Sequence, residues 1–103
     1  SNVAPQALHL LNNKMVHDLA VSFAGRVREE AGLDQQAQLQ HVFMLALGRS
    51  PTTEEQDISA QYMEELVAQW LKEQPDKKEE AHQRALENYC HAVMNLAAFI
   101  YID

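Results

Sequence analysis

The chain is poor in the residues that punctuate or cross-link a fold. Of its 103 residues, one is cysteine, three are glycine and three are proline. The lone cysteine, Cys90, rules out an intramolecular disulfide, and it leaves the redox compartment unread. So few glycines and prolines leave little material for tight turns, which favours a few long helices over many short strands. Basic residues are scarce as well. Lys and Arg number 8 against 15 Asp and Glu, a net charge of −7. The deficit is local: residues 1–53 carry four basic and four acidic side chains, and residues 54–103 carry four and eleven. Phosphate binding needs clustered cations, so no nucleic-acid partner is expected, and anionic membrane surfaces are disfavoured for the same reason. Long apolar runs are missing too. The longest, Ala92 to Ile102, contains Asn95 and is too short to span a bilayer, so no membrane insertion is expected. Glycine-rich phosphate loops, the G-x-S-x-G nucleophile turn and the C-x-x-C-H haem motif are all lacking.

What is present is enough apolar material for one core. Hydrophobic residues make up 47% of the chain, well above the range of disordered sequences. A chain of this length fits a single domain, residues 1–103, and buries roughly two-thirds of its unfolded surface. Ser1-Asn2 reads as a cloning scar and no signal peptide is visible. The chain is therefore expected to be a C-terminal fragment of a larger multidomain protein, with any localisation signal upstream.

Apolar spacing predicts four main helices and a short one before them. Pro5 to Leu11 reads as the short helix, with Pro5 at its favoured first position and Asn12-Asn13 breaking it. From Lys14 to about Ala31, the residues Val16, Leu19, Ala20, Phe23 and Val27 make an amphipathic stripe that Gly32 ends. Asp34 caps the next helix, whose stripe is Leu39, Val42, Phe43 and Ala46, widened by Leu45 and Leu47. Thr53 to about Glu73 follows, with Ile58, Tyr62, Leu66, Val67 and Trp70 facing inward and Met63 and Leu71 alongside. Gln74-Pro75 stops it. Asp76 and Glu79 have cap spacing for the last helix, which runs through Leu86, Tyr89, Cys90, Val93, Leu96 and Ala97. The apolar end Phe99-Ile-Tyr-Ile102 is expected to dock on the core, since undocked tails fray. Short connections predict antiparallel neighbours. The fold class is all-α, a small bundle of four main helices plus the short N-terminal one.

The sharpest local signal is Leu45-Ala-Leu-Gly-Arg-Ser-Pro-Thr-Thr-Glu-Glu55. Gly48 suits the left-handed residue that closes a helix, and Arg49 puts a cation beside its last carbonyls. Pro51 cannot continue that helix. Thr52 and Glu55 have the S/T-x-x-E spacing of a capping box at a new start.

No constellation of reactive residues accompanies these signals. The five histidines, His9, His17, His41, His82 and His91, include no pair three or four apart, so no helical metal site is expected. Cys90 falls on an apolar face in an acidic region, which suits a buried hydrophobe rather than a nucleophile. Glu54, Asp57, Gln61 and Glu64 share one helix face and read as a solvated surface that could meet a basic partner. Met15, Met44, Met63 and Met94, one per long helix, read as core packing, and Trp70 as a core anchor with its N–H at the rim. Expected catalytic residues, metals and cofactors are none.

Three segments together resemble a known family. Pro5-Gln-Ala-Leu-His-Leu-Leu-Asn12 with Met15-Val16 is similar to an opening "PQAL..LN..FV". Leu45 to Glu55 is similar to a central "LALGR.PT.EE", and Asn95 with Phe99-Ile-Tyr-Ile-Asp103 to a closing "N..EF.Y.D". The family is the C-terminal domain of unknown function of large planctomycete proteins, which often also carry cytochrome-c-type modules. Ala98 stands where the family pattern has an acidic residue, and Val3-Ala4 where it has a Thr/Pro lead-in. The resemblance implies an exported or cell-envelope parent, and it brings no catalytic residues. Residues singled out by these motifs for interaction or architecture are Gly48, Arg49, Thr52, Glu55, Asn12, Phe99, Tyr101 and Asp103.

The functional expectation is a non-catalytic structural or protein-interaction module. Its partners would be other domains of the same parent or another protein. The alternative is an accessory domain completing an enzyme or redox site built mainly upstream, with Arg49, Gln6, Asn12 and Asn13 as its first polar candidates. Like-charge repulsion between acidic halves points to a monomer.

Overall fold

A computed structural model describes residues 14–101, with side chains placed through Ala98. The short helix expected at Pro5–Leu11, Asn12, Asn13 and Asp103 lie outside the described residues. So do the side chains of Phe99 and Tyr101, and with them the expected docking of the tail. Every regular element among the described residues is helical: α1 (Lys14–Ala31), α2 (Gln35–Leu47), α3 (Thr53–Glu73) and α4 (Lys78–Tyr101). The expected all-α bundle of four main helices is what the chain forms.

Short polar signals set the helix ends. Gly32, with φ 81°, donates its N–H to the Arg28 carbonyl at 3.0 Å and closes α1. Two residues on, the Asp34 carboxylate accepts from the Ala37 N–H at 3.0 Å and opens α2. The start of α4 departs from expectation. Lys77 N–H bonds the Gln74 carbonyl at 3.2 Å, so Gln74-Pro75-Asp76-Lys77 forms a turn with Pro75 at its first corner. Asp76 is taken up by that turn. Lys77, whose carbonyl accepts from Ala81 N–H at 2.9 Å, stands at the cap position instead.

Cross-helix pairs give the topology. Glu30 meets His41, so α1 and α2 run in opposite directions from their shared turn. His17 meets His91 while the Arg28 charge acts on His82, which makes α4 antiparallel to α1. Ser59 meets Tyr89 and Trp70 meets Arg84, which makes α4 antiparallel to α3 as well. The result is an up-down-up-down bundle in which α4 packs against all three other helices. One end of it gathers the start of α1, the Gly48–Thr52 turn and the C-terminal end of α4.

The core differs from the expected stripes at their edges. Ala20, Ala24 and Val27 of α1, Leu39, Val42, Phe43 and Leu47 of α2, and Leu86, Tyr89, Cys90 and Val93 of α4 are buried together. Along α3 the buried residues are Met63, at 0% exposure, and Ser59, whereas Ile58 is 62% exposed and Tyr62 is exposed beside it. Leu19 and Leu96 are exposed too. The reason is angular: neighbouring helical residues point about 100° apart. The line Ser59, Met63, Leu66 and Trp70 meets the bundle, so Ile58 and Tyr62 are left on its open flank. The methionines divide likewise, with Met63 buried and Met15 and Met44 exposed, so the expectation that all four pack the core is corrected. Besides Ser59, two more polar residues are buried that periodicity did not mark. Gln38 donates to the Gly32 carbonyl at 2.7 Å, and Glu87, 4% exposed, lies 3.6 Å from Arg84.

Candidate functional site

The Leu45–Glu55 segment closes α2 and opens α3 at the end of the bundle where both termini of the described chain lie. Gly48 has φ 75° and donates its N–H to the Met44 carbonyl at 3.0 Å. The left-handed conformation is open to it because it lacks a Cβ. Thr52 Oγ1 accepts from Glu55 N–H at 3.1 Å, and Glu55 Oε1 accepts from Thr52 N–H at 2.9 Å, so the capping box is complete. Arg49 reaches forward over this box. Its two terminal nitrogens donate to the two Glu55 oxygens at 2.7 and 2.9 Å, and its guanidinium lies 5.6 Å from the Phe43 ring centre. The Arg49 hydrogen bonds, followed by the Thr52 backbone, hold the Glu55 carboxyl down at about 2. Gly48, Arg49, Thr52 and Glu55 therefore form one unit, in which Arg49, read from the sequence as a cation for the last carbonyls of α2, bonds the Glu55 carboxylate and the Ser50 carbonyl. Phe43 beneath Arg49 was not legible, because nothing in the spacing says which α2 residue the cation covers.

Beside this unit runs an apolar groove of about 280 Å³ between α3 and α4, floored by Phe43, Ser59 and Tyr89 and flanked by Ile58, Tyr62 and Leu96. Ser59 Oγ and Tyr89 Oη share a hydrogen bond at 2.8 Å. Burial pushes the Tyr89 phenol up to about 12, against a smaller downward effect of that bond. A second groove is lined by Leu19 and Phe23 of α1, Leu45 and Ala46 of α2, and Met94 and Ala97 of α4.

The other candidates stay apart. Cys90 is buried, and loss of hydration raises its thiol to about 12, the opposite of an activated nucleophile. His17 and His91, distant in sequence, come together edge to face with ring centres 6.3 Å apart. Among the described residues, no group of three or more His, Cys, Asp or Glu could hold a metal ion. Glu54, Asp57, Gln61 and Glu64 are exposed along α3 as expected. Trp70 is partly buried, with the Arg84 guanidinium 6.0 Å from its ring centre. Among the described residues no helix is long and apolar enough to cross a membrane.

Comparison with curated proteins and with solved structures finds no match. A family match does exist, and it covers residues 1–63, from the N-terminal segment through the Leu45–Glu55 turn into the middle of α3. The chain belongs to the PSD1 family, described as "Protein of unknown function (DUF1553)".

Proposed function

We propose that this domain is a non-catalytic structural or protein-interaction module at the C-terminal end of a larger, exported, planctomycete-type protein that also carries cytochrome-c-type domains. The origin, the export and the cytochrome association rest on the resemblance of the three quoted segments. The interaction role rests on geometry. The observation that carries it is the engagement of Arg49, Thr52 and Glu55 with one another, beside a groove whose two hydroxyls bond each other. Polar groups held in this way organise a surface; a reaction centre needs polar groups aimed at a substrate.

The test is deletion of residues 1–103 from the longer protein, followed by measurement of its association state and of any turnover it supports. Lost association with turnover retained is the expected result. Lost turnover with association unchanged overturns the reading.

A further inference from the structure

One cation, Arg49, stands at the end of the α3–α4 groove, where it is engaged with Glu55 and Phe43, and the stretches that form the rest of the groove carry none. Residues 50–71 and 85–101 contain Glu54, Glu55, Asp57, Glu64, Glu65 and Glu87 but no Lys or Arg. Glu55 is held by Arg49, and Glu87 is buried. The rest are exposed on α3. Helical spacing places Glu54 four residues before Ile58 and Glu65 three residues after Tyr62, on the side of α3 just outside the residues that line the groove, with Glu65 also lining the hollow it shares with Asp57, Gln61 and Glu64. The groove is thus an apolar furrow with exposed carboxylates beside it on α3.

Its shape and chemistry narrow the occupant. At about 280 Å³ it lies open to solvent, whereas sites for small molecules bury most of the ligand's surface. The hydroxyls of Ser59 and Tyr89 on its floor bond each other, so the floor presents few partners for the backbone of an extended peptide. A helix satisfies its own backbone and brings only side chains. Ile58 and Tyr62, four residues apart on α3, and Leu96 on α4 are exposed ridges with the furrow between them. That is the arrangement into which a third helix sets residues spaced three and four apart. The carboxylates beside it repel nucleic acid and anionic lipid.

We infer that the α3–α4 groove docks an amphipathic helix whose apolar stripe fills the furrow and whose flanks carry Lys or Arg. This rests on the reading of the domain as an interaction module and specifies its partner's chemistry.

The experiment titrates the isotope-labelled 103-residue chain with three synthetic peptides. One is a Leu/Lys helix with a single apolar face, one a Leu/Lys peptide of identical composition permuted to have no such face, and one a Leu/Glu helix. The amphipathic Leu/Lys peptide is expected to bind about tenfold or more tighter than either control, with resonance shifts centred on Ile58, Tyr62 and Leu96. Ile58→Asp, at a solvent-exposed position, should cut that affinity about tenfold with the melting temperature unchanged. Glu54→Gln/Glu65→Gln should flatten its salt dependence. Equal binding of the permuted or the Leu/Glu peptide overturns the inference. So do shifts centred on the outer face of α3 around Asp57 and Glu64, or an Ile58→Asp variant that binds normally. Absent peptide binding combined with loss of association on domain deletion overturns the groove alone and leaves the module reading standing.

Discussion

Gly48 and Gly25 make opposite demands on the same amino acid. Gly48 sits at φ 75°, and a Cβ built there would meet nothing within 4 Å. The cost of a side chain is therefore conformational rather than steric. Gly48→Val is expected to destabilise the fold by about 1 kcal/mol or more. Gly25 lies in the middle of α1, with Arg28 at an ordinary 3.9 Å from an added Cβ. Gly25→Ala should stabilise by about 0.5–1 kcal/mol, because the unfolded chain loses freedom. Urea unfolding of both variants checks the pair of signs. Thr52 is tested in the same way. Its hydroxyl satisfies the Glu55 N–H at the start of α3, so Thr52→Ala should cost about 0.5–2 kcal/mol. These residue-scale features were legible because each follows from local chemistry: a missing Cβ, a short hydroxyl side chain, a carboxylate three residues on.

At the scale of the helix, periodicity located the elements but not the edges of their buried faces. The spans Lys14–Ala31 and Thr53–Glu73 agree with the apolar pattern and its terminators. The inward face of α3 does not, because Ile58 and Tyr62 look as apolar as any core residue until α4 chooses Ser59 and Met63 instead. A small side chain at position 59 admits the Tyr89 ring, and only the partner helix reveals that. The consequence is measurable in the methionines. Met63→Ala should cost about 2–5 kcal/mol, as expected for a side chain with no exposed surface. Met15→Ala, at a residue 65% exposed, should stay within about 0.5 kcal/mol of the parent. Chemical denaturation of the two variants separates them.

For the whole molecule, the shifted groups set both limbs of the pH–stability curve. Glu55, held at about 2 against an ordinary 4.5, favours the folded state above pH 4.5 and loses that contribution as pH falls towards 2. Glu30, lowered by its hydrogen bond to His41 and then by that to Arg26, has the same sign. Tyr89 and Cys90 act at the other limb. The unfolded chain ionises them near 10 and 9, while the folded chain resists until about 12, so stability falls as pH rises through that interval. Melting temperature against pH should show a plateau with both shoulders. Glu55→Gln should soften the acid shoulder and Tyr89→Phe the alkaline one. Cys90 offers an independent readout, since a buried neutral thiol reacts only when the bundle opens. Its labelling by a thiol reagent at neutral pH should be slow and should accelerate with denaturant in step with unfolding.

The sequence by itself determined the four main helices, the closures at Gly32 and Gly48, the capping box and the acidic bias of the second half, though not the cap of α4. All of these are signalled within a few residues or by composition, so they can be read before any distant contact is known. Only the tertiary structure decided that Arg49 covers Phe43, that Ser59 bonds Tyr89, and that Ile58, Tyr62 and Leu96 border an open apolar groove. Each of these depends on which face of one helix a neighbour leaves uncovered. That choice is made by packing four helices at once, and no single stripe contains it.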